Sequence, residues 1–275
     1  MHNTIDAHKL VQFQSVIWEF YRVSGRLFDW RHTDDPYKVV VSEIMLQQTQ
    51  TFRVAQKYQP FIARFGSFEA LASAPLVEVL AYWQGLGYNR RGMYLHKIAQ
   101  KVVAEYGGHV PNDPQTHEKF PGLGPATARS ICAFAFNAPV IFIETNIRAV
   151  YIHHFFQSHN KVHDKQLLPL LEATLERERT RDWYYALMDY GVYLKKQYIN
   201  PNRKSAHHAT QSKFEGSDRQ IRGMIIKYLS TQASMATLEE LKITLAKEDE
   251  RLEKALAGLC QEGLIVNKNN QYRIT

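Results

Sequence analysis

The sequence predicts an all-α protein that carries a small C-terminal α+β module of winged-helix type. Three observations point there. Apolar residues recur at a helical rather than an alternating spacing over nearly all of residues 8–194. Turn signals interrupt that spacing at short intervals. After a basic stretch, the last 60 residues read as three amphipathic helices followed by strand, turn and strand.

The first helix is set by Leu10, Val11, Phe13, Val16, Ile17, Phe20 and Tyr21, which place one over 8–23. Further helices are expected at 37–49, 52–65, 68–72, 76–83, 90–106, 115–120, 125–136, 146–157, 164–177 and 181–194. Between them stand Asp34-Asp35-Pro36, Phe65-Gly66-Ser67, Gly85-Leu86-Gly87, Gly107-Gly108, Pro121-Gly122 and Asn200-Pro201. In the C-terminal part, helices are expected at 218–231, from Thr237 onward and at 249–262, the last ended by Gly263. Leu264-Ile265-Val266, Asn269-Asn270 and Gln271–Ile274 then read as a hairpin. The third helix of this module carries Glu248, Asp249, Glu250 and Glu253 beside Arg251 and Lys254. So acidic a helix is a poor reader of the major groove, and contact with a protein partner or plain structural support explains it as well.

Composition narrows the class. With 275 residues, 45% apolar and 22% charged, the chain has room for two or three small domains of ordinary globular type. No apolar run reaches bilayer length, and the N-terminus lacks the build of a signal peptide. A cytoplasmic protein with no membrane partner is expected, nucleoid-associated if prokaryotic. Cys132 and Cys260 are too few for a disulfide framework or a four-thiolate metal site, and both read as buried reduced thiols. His153, His154, His159, His163 and His207-His208 are spread over a helix end and loops, a poor zinc pattern, so no metal or other cofactor is expected. Net charge is +7, and Lys195, Lys196, Arg203, Lys204 and Lys213 occur with no intervening acid. Such a stretch is either a polyanion footprint or a solvated basic linker.

Three motifs carry chemistry. Residues 120–128 read Phe-Pro-Gly-Leu-Gly-Pro-Ala-Thr-Ala, a short helix ending at Phe120, two glycines, and Pro125 at a new helix start. Glycines at 122 and 124 allow backbone angles barred to other residues, so that N–H groups up to Ala126 can face one phosphate. The helix that follows presents Ala126, Ala128, Ala133 and Ala135 for close packing. A plain tight turn would show the same short pattern. Glu43 lies among Val39, Val40, Leu46 and Gln47 on a helical face, where burial would keep its carboxyl protonated as a donor, unless the helix turns it to solvent. Glu144 follows the apolar run Val140–Ile143 and precedes Thr145-Asn146, either of which can cap the next helix. There it is favoured as a carboxylate, although an ordinary helix-start acid looks the same. One protonated and one charged carboxyl suit glycosidic cleavage through an oxocarbenium-like state.

The segments Trp30-Arg31, Pro36-Tyr37 and Ser42–Gln50 resemble the signature of adenine DNA glycosylases within the endonuclease III superfamily. So do Trp83–Tyr88 with Leu95-His96, the hairpin at 120–128 and Met188–Gly191, and the resemblance spans residues 8–194. It implies a two-lobed helix-hairpin-helix DNA glycosylase fold, with residues 1–26 and 138–194 forming the lobe that carries Glu144. An inserted six-helix lobe over 27–137 would carry Glu43 and the hairpin, followed by a basic linker at 195–215 and the winged-helix-like module at 216–275. Glu43 matches the catalytic acid, and Gln47, Gln48, Tyr88 and Arg31 match residues that wedge into the duplex or line the pocket of the extruded base. A packed core aromatic is the alternative for Tyr88. Gly122, Gly124, Ala126, Lys195, Lys196, Arg203 and Lys204 are expected at DNA phosphates.

Four departures qualify the implication. The family has Asp where this chain has Glu144, which shifts the charge by about 1.5 Å. Ala126 replaces the lysine of strand-cleaving relatives, so a monofunctional enzyme is expected. The residues after Gly191 lack the family's iron–sulfur cysteines. The C-terminal domain through which relatives sense 8-oxoguanine is replaced by the winged-helix-like module. Adenine opposite 8-oxoguanine or guanine is the first expectation for the excised base. Thymine or uracil mispaired with guanine is the second, and a non-catalytic DNA-binding protein is the reading from another class. The partner would be double-stranded DNA with a mismatch or lesion, the protein a monomer.

Overall fold

A computed structural model describes residues 6–208 and 213–275. Its helices are α1 (Ala7–Ser24), α2 (Pro36–Leu46), α3 (Thr51–Arg64), α4 (Phe68–Ser73), α5 (Leu76–Trp83), α6 (Arg90–Tyr106) and α7 (Pro114–His117). They continue with α8 (Pro125–Phe136), α9 (Thr145–Phe155), α10 (Asp164–Thr174), α11 (Thr180–Gln197) and α12 (Asp218–Leu229). Strand β1 (Ala236–Thr237) precedes α13 (Leu238–Leu245) and α14 (Asp249–Gln261), and the hairpin β2 (Ile265–Lys268) and β3 (Gln271–Ile274) closes the chain. Among the described residues no helix is long and apolar enough to cross a membrane.

Local chemistry sets the helix starts. Asp6 caps α1 by accepting from His8 N at 3.0 Å, Ser67 caps α4, and Asp113 accepts from Gln115 and Thr116 N ahead of Pro114. Gly107 (φ 59°) and Asn137 (φ 52°) end α6 and α8 in the left-handed conformation. Thr237 and Glu240 form a reciprocal capping box at α13.

Two compact units emerge. The first comprises the described residues of Met1–Val39, Asn112–Lys119 and Leu123–Thr210. Its core joins Phe13 and Ile17 of α1 to Phe134, Tyr151, Trp183 and Tyr184. Helix α8 belongs here rather than with an inserted lobe, because Ala128, Ala133 and Ala135 are buried and Phe134 stacks on Tyr185 at 4.6 Å. Ala126 is exposed and takes no part in that close packing.

The second unit comprises the described residues of Val40–Pro111, Phe120–Gly122 and Gln211–Thr275. The C-terminal module is not a free-standing appendage. Ile221, Ile225, Leu252, Leu256 and Ile274 share one apolar core with Leu80 of α5 and Met93 of α6. Strand β1, absent from the sequence expectation because it is two residues long, pairs Ala236 with Tyr272 and Thr237 with Gln271, giving the antiparallel order β1-β3-β2. Asn269 (φ 54°) and Asn270 (φ 60°) make the two-residue hairpin turn that requires positive φ at both positions.

Several element ends differ from the sequence reading. Helix α2 stops at Leu46 because Gln48 turns left-handed at φ 53°. Helix α7 stops at His117, not Phe120, and α10 at Thr174, where Leu175 turns extended. Helix α11 runs to Gln197, so Lys195 and Lys196 form its last turn and not a linker. The chain then folds as a 3-10 turn at Pro201–Lys204 and lies along Val162, whose N–H donates to Lys204 O at 2.7 Å. Of the expected linker, residues 209–212 lie outside the described residues.

Candidate DNA-binding and catalytic site

Glu43 stands near the C-terminal end of α2, half-buried between the buried side chains of Ser42 and Ile44. Its helix-face neighbours Val39 and Val40 are also buried, so neither full solvation nor full burial of the carboxyl holds.

The end of that helix is organised by a residue the sequence reading missed. Arg91, in the first turn of α6, is 8% exposed. Its Nη1 donates to Ile44 O (2.7 Å) and Met45 O (2.9 Å), two carbonyls that the helix end leaves without N–H partners. Its Nη2 donates to Thr49 Oγ1 (2.8 Å), Leu86 O (3.1 Å) and Gly87 O (3.1 Å). Burial pushes its pKa down to about 10, still well above neutral pH, so the guanidinium remains a cation. A signal for it was available, since Arg91 shares the helical stripe of Leu95, Ile98 and Val102, all buried.

Arg91 thereby ties together the two loops that present Gln48 and Tyr88. Both residues are non-glycines in the left-handed region, Gln48 at φ 53° and Tyr88 at φ 47°. Such conformations persist only where surrounding structure enforces them, and they concentrate at functional sites. Here the enforcement is visible. Trp83 Nε1 donates to Gly87 O at 3.2 Å, and Arg91 N donates to Tyr88 O at 2.8 Å. Tyr88 is 39% exposed and so is not a packed core aromatic. Gln47 Nε2 donates to Gly122 O at 3.3 Å, linking this region to the 120–128 turn.

In that turn the two glycines are needed for different reasons. Gly122 sits at φ 77°, and a Cβ there would meet Tyr94 Cδ2 at 2.3 Å, so only glycine fits. Gly124 has ordinary extended angles, φ −89° and ψ 172°, as the N-cap of α8, contrary to the expectation of a special backbone conformation. Among the described residues, a Cβ at Gly124 would meet no atom within 4 Å beyond its chain neighbours. Gly122, Gly124, Pro125 and Ala126 are exposed, as a surface meant for an external ligand requires.

In the first unit, Glu144 is itself the N-cap of α9, where the sequence reading gave that role to Thr145 or Asn146. Its Oε1 accepts from the backbone N of Asn146 (2.7 Å) and Ile147 (2.8 Å), and its Oε2 from Asn146 Nδ2 (3.0 Å). Gly191 of α11 makes this packing possible, because a Cβ would lie 2.4 Å from Asn146 O. Burial raises the Glu144 carboxyl above its ordinary range, while the two backbone donors and the charges of Lys195 and Arg148 restrain the rise. Desolvation and the helix N-terminus thus act on Glu144 in opposite directions, the first raising its pKa and the second favouring the carboxylate that the sequence leads one to expect.

The basic residues divide. Lys195 is partly buried and its ammonium is pushed down by burial, opposed by the charge of Glu144. Its charge acts on Glu144, and it is less open to an external phosphate than the exposed Lys196. Lys204 Nζ is engaged by Gln157 O, whereas Lys196 and Arg203 are exposed. Arg31 is also reassigned. With Arg26 it clamps Asp189, whose side chain is 1% exposed; Arg31 Nη1 and Nη2 each donate at 2.8 Å and Arg26 Nε at 2.7 Å. Its guanidinium lies 4.5 Å from the Tyr185 ring centroid. That geometry makes Arg31 a structural tie between the chain after α1 and α11, not a pocket group, and it accounts for Asp189 in the Met188–Gly191 motif.

The rings of His153 and His154 lie 5.1 Å apart, and burial pushes His154 down to about 4, helped by the charges of His153 and Lys9. Among the described residues, no three His, Cys, Asp or Glu side chains are grouped so as to hold a metal ion.

The pattern of the HhH-GPD superfamily of base excision DNA repair proteins matches residues 41–175. The chain is 33% identical over 186 residues to an adenine DNA glycosylase of Buchnera aphidicola, covering 67% of this chain and 53% of that one. It therefore spans about half the length of that relative. An adenine DNA glycosylase of Mycolicibacterium smegmatis is 29% identical over 263 residues, 90% of each chain. That alignment must reach into the last 60 residues, so the C-terminal module is at least partly shared. A solved thermostable thymine-DNA glycosylase superposes with a TM-score of 0.60 at 28% identity, over 67% of this chain and 86% of that one. Its helical fold, its glycine turn ahead of α8 and these likenesses together place this chain in the HhH-GPD superfamily of base excision DNA repair proteins.

Proposed function

We propose that this base excision repair glycosylase removes adenine mispaired with 8-oxoguanine or guanine, hydrolysing the N-glycosidic bond of the extruded nucleotide and leaving the strand intact. The observation that carries the reading is the paired left-handed placement of Gln48 and Tyr88 on loops clamped by Arg91, beside the helix end that bears Glu43. A wedge needs side chains projected from a rigid base, because unstacking a base costs a few kcal/mol that the protein must supply in its place.

In this reading Glu43 gives a proton to the purine as the bond from C1′ to the base nitrogen breaks. It then takes one from the water that adds to C1′, so the products are free adenine and an abasic site. Glu144 offers negative charge to the oxocarbenium-like state, at a strength set by its cap and by Lys195. Ala126 has no amine, so no Schiff base forms there and no β-elimination follows. Duplex DNA would meet the exposed turn at 122–126 and the exposed Lys196 and Arg203.

Similarity to the thymine-DNA glycosylase favours a second reading, thymine or uracil opposite guanine. Single-turnover excision on duplexes holding A·8-oxoG, A·G, T·G and U·G separates the two. Release of adenine is expected, with strand scission only after alkali. Glu43→Gln should slow release by about a hundredfold or more, the usual worth of a general acid–base group. Firm duplex binding with no base released from any of the four would instead favour a non-catalytic DNA-binding protein.

A further inference from the structure

The C-terminal module reaches Tyr88. Arg219, the second residue of α12, donates from Nη1 to Tyr88 Oη at 2.8 Å, and its guanidinium carbon lies 5.9 Å from the Tyr88 ring centroid. Arg91 sits beside the same ring, at 5.6 Å. The contact joins residues 131 positions apart within one compact unit. Its geometry rests on firm neighbours, since Ile221 and Ile225 of α12 are buried in the core that includes Leu80 and Met93. Beside it, Glu262 accepts from Arg222 at 2.5 Å and pairs with Arg90 at 3.6 Å, two residues after Tyr88.

We propose that Arg219 is a positioning residue for Tyr88, which makes the C-terminal module a working part of the base-extruding apparatus. The inference rests on the wedge role given to Tyr88 above. The backbone of Tyr88 is fixed from below by Arg91 and Trp83, and the Arg219 donor holds the hydroxyl at the far end of the ring, where a bond constrains the side-chain torsions most. A cation there also sits where a polyanion would arrive, so approach of DNA would not expel it. The module does not need this contact to dock, because the apolar core and the Glu262 pairs already hold it. Arg219 Nη2 also donates to Lys213 O at 3.4 Å, outside that core, so loss of Arg219 should change Tyr88 while the apolar core still docks the module.

The test uses the full chain and a mispaired duplex with 2-aminopurine next to the target base, whose fluorescence rises when the stack opens. Arg219→Ala should lower the rate of that rise about three- to tenfold, the scale of one exposed charge-assisted hydrogen bond, with an unchanged melting temperature. Tyr88→Phe should lower it similarly, the double variant should be no worse than either single one, and Arg219→Lys should restore most of the loss. A wild-type rate in Arg219→Ala overturns the proposal. So does an equal loss in the Tyr88→Phe background, which would mean that Arg219 acts on DNA directly, or a loss that comes only with a lowered melting temperature. Absence of any fluorescence rise with wild-type protein also overturns it. If the wild type opens the stack but releases no base, the proposed function fails while the fluorescence series still decides the role of Arg219.

Discussion

Gly124→Ala is the most discriminating single change, because the structure predicts opposite results for it and for Gly122→Ala. At Gly124 the backbone is extended and, among the described residues, the added methyl meets nothing within 4 Å beyond its chain neighbours. Alanine there is a poorer N-cap than glycine, a loss of up to about 1 kcal/mol, offset by about 0.4–1 kcal/mol from a less flexible unfolded chain. Net stability should change by no more than about 0.5 kcal/mol. The methyl does, however, project into the space a phosphate would occupy to reach the N–H groups at the start of α8. Loss of one backbone hydrogen bond to a charged oxygen is worth about 1.5–3 kcal/mol, so Kd for duplex DNA should rise about tenfold or more. The dependence of Kd on salt should keep its slope, because no cation is removed. At Gly122, by contrast, φ is 77° and the Cβ would lie 2.3 Å from Tyr94 Cδ2. The left-handed angle alone costs about 1–2 kcal/mol, and the clash adds to it, so that variant should melt several degrees lower. Fluorescence anisotropy with a labelled duplex and thermal unfolding read both effects. If Gly124→Ala binds DNA like the wild type, the exposed turn is not a phosphate site and the argument from its empty space is wrong.

Arg91→Met keeps much of the side chain's apolar volume but strips the Arg91 donor from the buried carbonyls of Ile44 and Met45, whereas Leu86 O keeps Thr49 Oγ1 at 3.3 Å. Each buried acceptor left unpaired costs about 1–3 kcal/mol, so denaturant unfolding should report a loss of about 2 kcal/mol or more. A loss under about 1 kcal/mol would mean that the two loops are held by something else. Lys195→Met removes a charge that restrains the burial-driven rise of the Glu144 carboxyl, so that group should titrate at still higher pH. If ionised Glu144 is required for turnover, the acid limb of the kcat/KM profile should move to higher pH. The stability sign agrees: a carboxyl with a raised folded pKa contributes most below the ordinary carboxylate range, and the contribution fades as pH rises through the raised value. In Lys195→Met that decline should extend to higher pH, and an acid limb that stays in place would remove Glu144 from the chemistry.

The corrections to the sequence reading share a cause. Arg31 looks like a pocket residue when only its motif is considered, yet its guanidinium is spent on Asp189, which lies 158 residues away. Lys195 and Lys196 count towards a basic linker until α11 is seen to extend through them, and Thr145 or Asn146 is read as the cap of a helix that Glu144 itself caps. In each case a charged side chain is assigned a role from its neighbours in sequence, whereas its place is set by partners or a helix end that only the folded chain defines.

What the sequence by itself determined is the part governed by local spacing. Helical periodicity located nearly every helix within a few residues, the Asn269-Asn270 turn located the hairpin, and the Pro-Gly-Leu-Gly run located the start of α8, because those features are written in neighbouring residues. Glu43 stands out by its place among apolar residues, while Gln48 and Tyr88 are candidates only through the resemblance of the motifs around them. Tertiary structure alone decided that Arg91 clamps both loops, that the C-terminal module joins the core of Leu80 and Met93, and that Arg219 meets Tyr88. Those contacts join residues dozens to more than a hundred positions apart, and no periodicity along the chain records which distant donor a buried carbonyl or an exposed hydroxyl will find.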